Sequence, residues 1–228
     1  MTKTIQPEGE SYDIELQEDL LKAHQKIAEK NSKLLRNRGV RCIEIMGSIG
    51  SGKTSLLERI SEKLSRHYRM AVVNGDLATT IDADRVGRHG VKVLQINTGK
   101  ECHLDAAIVA RAFGELDLKN LDLLFIENVG NLICPAEFPL GADTRVVVVS
   151  VTEGPYMVIK HPLIFMDSDL LIVNKIDLAE LMEVNAKKLG EDAKKINPKI
   201  RVALTNCRTG EGVDDVIDQL QLSGKLRA

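Results

Sequence analysis

Tryptophan is missing from this 228-residue chain, and all aromatic residues together amount to 3%. Stacking of rings on bases or sugars is therefore excluded as the main mode of recognition. An excess of charge of one sign is also missing. Lys+Arg number 31 and Asp+Glu 33, a formal net charge of −2. A near-neutral chain lacks the clustered cationic surface that nucleic-acid phosphates demand, so no nucleic-acid partner is expected. The longest stretch without a charge runs from Asn128 to Ala136, nine residues. A membrane span needs ~20 apolar residues, so no membrane partner is expected either. The opening segment MTKTIQPEGESYD carries no apolar signal core, and the expected location is cytoplasmic. Four cysteines without an export signal do not make a disulfide framework. They are expected as reduced thiols, free for burial or for metal.

What is present is an ordinary globular composition, 43% hydrophobic, in a length suited to one α/β domain with an extension. The extension is 1–38. Within it Ser11 to Arg38 read as one amphipathic helix, because Leu16, Leu20, Ala23, Ile27 and Leu34 recur at helical spacing among Glu, Gln and Lys. Arg38-Gly39 is the expected stop. Packing on the domain edge is the plainer role for this helix, and an arm toward a partner the sharper one. The domain proper is 39–228. Short apolar runs at Val40–Met46, Met70–Val73, Val91–Ile96, Leu121–Ile126, Arg145–Val151, Leu170–Val173 and Arg201–Thr205 predict strands. Helical patterns at Ser55–His67, Leu104–Leu116, Glu183–Ile196 and Val213–Leu220 lie between most of them. The expectation is an α/β fold with a mostly parallel sheet covered by helices on both faces. Asn128 to Asp143 reads as a long irregular loop, a length that usually marks function.

Gly47-Ser48-Ile49-Gly50-Ser51-Gly52-Lys53-Thr54 matches G-x-x-x-x-G-K-[ST] in full and stands between a strand and the helix opening at Ser55. Glycines at these positions let backbone N–H groups close around phosphates at a helix N-terminus. Lys53 brings charge to the β/γ-phosphates, and the Thr54 hydroxyl brings a ligand to Mg²⁺. A P-loop NTPase domain follows from this context. A bare glycine-rich turn is the competing view.

Asn174-Lys175-Ile176-Asp177 follows another apolar strand and has the spacing of an N-K-x-D base reader. A buried Asp177 carboxylate would accept from guanine N1–H and the 2-amino group, and adenine would leave it unpaired. GTP and GDP are thus the expected nucleotides. A helix cap is the competing role for Asp177. Asn206 and Cys207, after the last strand, could add backbone contacts to the base, although Cys207 fits plain burial equally well. Glu127 ends the strand Leu121–Ile126 and is a Mg²⁺ candidate, with Gly130 three residues on. A strand-end Glu facing solvent is the alternative. Asp76 ends a second strand. It could join the Mg²⁺ shell or orient the attacking water, which makes Lys53 and Asp76 the catalytic candidates. Asp82 and Asp84, in a segment 77–90 expected to be mobile, are weaker candidates against turn and cap duty. No arginine is obviously placed as a finger, so hydrolysis is expected to be slow.

Cys102-His103 precedes a predicted helix, and Cys134 lies in the long loop. Two thiols and an imidazole suit Ni²⁺ or Zn²⁺, not Mg²⁺. A helix N-terminus would lower a thiol pKa. Burial as small hydrophobes is the competing view and explains Cys42 better than it explains these two. Three ligands do not close a tetrahedral site, so either solvent or a second subunit completes it. Cys134 is seven residues after Glu127, which puts a Mg²⁺ ligand and a soft-metal ligand on one loop.

GSIGSGKTS, NTGKECHLD at Asn97–Asp105, ENVGNLICPAEFPLG at Glu127–Gly141, TEGP and KHP within Thr152–Pro162, and NKIDL together resemble the HypB family. These are GTPases that help insert nickel into nickel–iron hydrogenases and in some organisms assist urease. The resemblance runs from about Asp19 to the C-terminus. It implies interface metal ligands at Cys102, His103 and Cys134 and nucleotide residues at Gly47–Ser55, Asp76, Glu127 and Asn174–Asp177. It also implies a nucleotide-dependent homodimer, hydrogenase-maturation partner proteins and a hydrogenase large-subunit precursor as acceptor. The chain departs from many bacterial members in its first 38 residues, which hold no Cys and only His24. Nickel handling would then rest on the interface site. The competing functions are a GTPase of the same fold serving another metal or cobalamin enzyme, and a nucleotide-gated scaffold with purely structural zinc.

Overall fold

The computed structural model describes residues 11–76, 79–99 and 101–225, with side chains described from residue 21 to 224. In chain order the elements are α1 (Ser11–Asn37), β1 (Arg41–Gly47), α2 (Lys53–Leu64), β2 (Met70–Asp76), α3 (Ile81–Gly87), β3 (Lys92–Asn97), α4 (Ala106–Gly114), β4 (Leu123–Glu127) and α5 (Cys134–Glu137). There follow β5 (Thr144–Ser150), α6 (Met157–Lys160), α7 (Pro162–Met166), β6 (Leu170–Asn174), α8 (Ala186–Ile196), β7 (Arg201–Thr205) and α9 (Val213–Gln219). The strands form one seven-stranded sheet in the order β3-β2-β4-β1-β5-β6-β7. Every neighbouring pair is parallel.

Unbroken apolar strands belong in such a sheet because both faces are covered. In β5, Val146 and Val148 join Ile43, Ile45 and Phe125 beneath α2, α3 and α9. Val147 and Val149 point the other way, toward α6, α7 and α8. On that second face Cys42, Val73 and Leu124 meet Leu35 of α1 and Val109 and Phe113 of α4. All seven expected strands are present.

Three local expectations are corrected. The segment 77–90 is not wholly a mobile loop, since α3 occupies Ile81–Gly87. The stretch Asn128 to Asp143 is interrupted by the one-turn helix α5. The apolar stripe of α1 is also rotated from the expected one. Leu34 is exposed and Ala23 faces solvent, whereas Ala28, Asn31 and Leu35 are buried. Leu16 and Leu20 lie outside the described side chains.

The reason for the rotation is polar. Asn31 Nδ2 donates to Ala106 O at 2.8 Å and Leu140 O at 3.1 Å. Gly141, at φ +94, allows this approach, because a Cβ there would stand 2.3 Å from Ala28 O. The helix therefore packs on the domain edge against α4. It stops where expected: Val40 N donates to Leu35 O at 3.0 Å around Gly39 at φ 67. Among the described residues no helix is long and apolar enough to cross a membrane.

Candidate functional site

The carboxyl ends of β1, β2, β4 and β6 converge where the strand order reverses around β1, the place where open parallel sheets bind ligands. A cleft of about 840 Å³ lies there, lined by the loop after β1, by Asp76 and Glu127, and by Lys175, Asp177, Asn206 and Cys207. Chain geometry makes the loop. A Cβ on Gly47 would meet Val148 O at 2.2 Å, and one on Gly52, at φ +105, would meet Asn174 Nδ2 at 2.1 Å. Only glycine fits either place. Lys53 begins α2 and folds its ammonium back onto Gly47 O at 3.2 Å and Ser48 O at 3.0 Å. Burial holds it below the usual lysine range, with the Glu127 carboxylate pulling the other way. Ile49, Gly50, Thr54 and Ser55 face the cleft, while Ser51 is buried beneath it.

Glu127 is buried rather than turned to solvent. β4 pairs with β1, which sets its carboxyl beside the loop. Thr54 Oγ1 donates to Glu127 Oε1 at 2.7 Å, and Oε2 is buried with no hydrogen-bond partner among the described residues. Burial raises its carboxyl to about 7, against the opposing charge of Lys53 and the Thr54 bond. An orphaned buried carboxylate oxygen beside a threonine hydroxyl fits the ligand set of a divalent cation such as Mg²⁺. Asp76 ends β2, lines the same cleft and accepts from Thr79 N at 3.1 Å. Asp82 reaches the cleft but is paired with Arg85 Nη1 at 3.1 Å. Asp84 accepts from Thr80 Oγ1 at the start of α3, a bond between side chains.

The residues of the Asn174–Asp177 stretch divide in role. Asn174 is buried, and its side chain is spent on protein partners. Nδ2 donates to Ser51 O at 2.9 Å, and Oδ1 accepts from Thr205 Oγ1 at 3.1 Å and Cys207 N at 3.0 Å. It clamps the phosphate loop to the loop after β7. Lys175 takes the left-handed conformation at φ 60. Asp177 is not buried as expected but exposed, with no partner among the described residues. Asn206 accepts from Arg208 N and Thr209 N, and Cys207 is buried.

Cys102, His103 and Cys134 come together with their ligand atoms all within 4.8 Å of one another. Cys102 Sγ lies 3.0 Å from Cys134 Sγ and 3.8 Å from His103 Nδ1. Burial lowers the His103 pKa, which favours the neutral, ligating imidazole. Cys102 does not stand at the N-terminus of α4 as expected. α4 begins only at Ala106, capped by Asp105, and the Cys134 thiol is raised, chiefly by its hydrogen bond with Cys102. A bound soft cation would displace these protons, and two thiols with an imidazole fit nickel or zinc.

Several residues of the site were given no role in the sequence reading. Asn131, between Glu127 and Cys134, donates its N–H to Gly47 O at 3.0 Å and its Nδ2 to Cys102 O at 3.3 Å. It thereby touches the phosphate loop and the Cys102-His103-Cys134 cluster at once. Arg85 faces the cleft from α3 and is held by Ser55, Glu58 and Asp82. Phe138 stacks on His103 at 4.2 Å and meets His24 of α1 edge-on at 5.1 Å. Only the fold brings the single histidine of residues 1–38 within one ring of the cluster.

A parallel sheet with a full phosphate loop after its central strand defines a P-loop NTPase. The model for the CobW/HypB/UreG nucleotide-binding domain matches residues 41–203. The probable hydrogenase maturation factor HypB of Methanocaldococcus jannaschii is 48% identical over 212 residues, 93% of this chain and 96% of its own. The crystal structure of the Archaeoglobus fulgidus hydrogenase maturation factor HypB superposes with a TM-score of 0.82 at 45% identity, over 87% of this chain and 97% of that one. The Helicobacter pylori HypB structure in complex with nickel superposes with a TM-score of 0.82 at 34% identity, over 90% and 96%. The chain therefore belongs to the CobW/HypB/UreG family and, within it, to the hydrogenase maturation factors HypB.

Proposed function

We propose that this chain is a slow, Mg²⁺-dependent GTPase that handles nickel as cargo for nickel–iron hydrogenase maturation. GTP would pair two chains about their Cys102-His103-Cys134 clusters. The observation that carries this reading is the single loop from Glu127 to Cys134. One end stands on the nucleotide cleft at Thr54, the other on the thiol of Cys102, and Asn131 ties the middle to both. Family membership and a nickel-bound relative support the cargo.

Each residue then has a role. The loop from Gly47 to Ser55 wraps the phosphates, and Lys53 exchanges its two carbonyl partners for β/γ-phosphate oxygens. Thr54, Glu127 and Asp76 would hold Mg²⁺, which supplies charge neutralisation at the phosphates. Asp76 is also the candidate for orienting the attacking water. Asp177 reads guanine, and Lys175, Asn206 and Cys207 line the base end. A second chain doubles three soft ligands to six. Nucleotide state then reaches the metal through the position of Glu127, and the coupling is reciprocal. Maturation partners and a hydrogenase large-subunit precursor would receive the nickel.

The test is Ni²⁺ and Zn²⁺ titration with GDP and with a non-hydrolysable GTP analogue, alongside sedimentation and transfer to a metal-free hydrogenase precursor. Tighter metal binding and a dimer with the analogue support the reading. Equal metal affinity with a monomer in both states defeats it. Binding without transfer favours a scaffold with structural zinc.

A further inference from the structure

Glu44 lies in the middle of β1, the central strand, and is fully buried. Its neighbours on the same face, Cys42 and Met46, belong to two separate apolar clusters, and Glu44 stands between them. A carboxylate in such a place is costly unless each oxygen is matched. Both are. Oε1 accepts from Asn128 Nδ2 at 2.9 Å, and Oε2 accepts from Arg145 Nε at 3.3 Å.

What those two partners hold is specific. Asn128 turns its Oδ1 to Leu104 N at 2.9 Å, the residue directly after His103. Arg145 turns Nη2 to Pro135 O at 2.6 Å, the residue directly after Cys134. One buried carboxylate thus ends two chains of hydrogen bonds, one to each loop that carries a metal-ligand candidate. Asn128 also follows Glu127 directly, and its N–H donates to Ile45 O at 2.9 Å.

We infer that Glu44 is a positioning residue of the metal cluster: through Asn128 and Arg145 it sets the separation between the Cys102–His103 loop and Cys134. This rests on the reading of those three residues as metal ligands. An apolar side chain would fill the same space between the clusters, but it would leave the buried Asn128 Nδ2 and the partly buried Arg145 Nε without this acceptor, and both loops would lose a fixed anchor. Groups that hold ligands in place, rather than the ligands themselves, commonly contribute about ten- to a hundredfold to metal affinity.

The experiment uses the full chain as wild type, Glu44→Gln, the double variant Glu44→Gln/Arg145→Met, and Cys134→Ala. Zn²⁺ affinity is measured by competition with a chromophoric chelator, the cluster geometry by the absorption bands of bound Co²⁺, and the nucleotide cleft by GDP affinity. Expected for Glu44→Gln is Zn²⁺ binding weakened about tenfold or more, altered Co²⁺ bands, and GDP affinity at the wild-type level. If Glu44→Gln does not fold, the double variant, which removes both charges together, gives the same reading. Wild-type Zn²⁺ affinity and Co²⁺ bands in the folded variants, with Zn²⁺ lost in Cys134→Ala, overturn the inference and leave the metal site standing. Zn²⁺ and GDP affinities that fall together also overturn it, since they mark a general scaffold role. Unchanged Zn²⁺ binding in Cys134→Ala overturns the metal-site reading itself, and this inference with it.

Discussion

Thr54 Oγ1 and Glu127 Oε1 are joined by a 2.7 Å hydrogen bond between the first turn of α2 and the end of β4, while Glu127 Oε2 is buried with no partner among the described residues. The pair brings the phosphate loop and the loop toward Cys134 into one contact. It also leaves a charge-poor carboxyl, raised to about 7 by burial. Its ordinary value is 4.5. A carboxyl raised on folding favours the folded state when protonated. That contribution is complete below pH 4.5 and is lost as the pH rises through about 7. The nucleotide-free protein should therefore lose stability across this window, by on the order of 3 kcal/mol at most. Melting temperatures against pH for wild type and Glu127→Gln check this. The variant should show a flatter slope there, and an identical slope would remove Glu127 as the titrating group.

Asn174 and Asp177 should separate structure from specificity. Asn174→Ala removes three buried hydrogen bonds that join the phosphate loop to the loop after β7. A loss of about 2–4 kcal/mol in stability is expected, with weaker binding of any nucleotide. Asp177→Asn touches an exposed side chain and should leave the melting temperature unchanged. Its effect should be on base choice, weakening GTP and favouring xanthosine triphosphate. Denaturant unfolding and nucleotide titrations decide both. Equal affinity of the wild type for ATP and GTP would contradict the assignment of Asp177.

Lys53→Ala should abolish hydrolysis and most triphosphate affinity in a protein that still folds. Among the described residues the ammonium bonds only to carbonyls of its own loop, Gly47 and Ser48, so its loss leaves no buried donor unmatched. Phosphate release and circular dichroism are the measurements. Turnover at the wild-type rate would show that the lysine does not serve the phosphates.

Cys134→Ala should bind GDP like the wild type yet lose the soft-metal site and metal-assisted pairing of chains. The thiol is 3.0 Å from Cys102 Sγ and does not line the nucleotide cleft. Metal content after dialysis and sedimentation with the GTP analogue test this. Retention of wild-type metal content and dimerisation would place the site elsewhere.

Much of this was legible before any coordinate. The strands were, because a strand buried on both faces must be apolar along its whole length, and such runs stand out. The phosphate loop was, because its glycines and its Lys-Thr pair are neighbours in sequence. The short helices α5, α6 and α7 were not, since four or five residues hold too little periodicity to register. The buried face of α1 was missed for a different reason. Asn31 is polar, and only its carbonyl partners on Ala106 and Leu140 make it a core residue.

Residue types and local spacing by themselves determined the parallel α/β architecture, the phosphate loop, and Glu127 and Asp76 as strand-end acids, and they offered Cys102, His103 and Cys134 only as candidates that the family resemblance joined. Each depends on chemistry carried by a residue and its immediate neighbours. The tertiary structure alone decided which of them meet. It set Cys102 against Cys134 across 32 positions, spent the Asn174 side chain on three protein partners, and turned Asp177 out to solvent. It also placed Glu44, Asn128, Asn131 and Arg145 between the cleft and the cluster. Their contacts leave no local pattern, because hydrogen bonds and burial between distant segments exist only once the sheet has stacked β1 between β4 and β5.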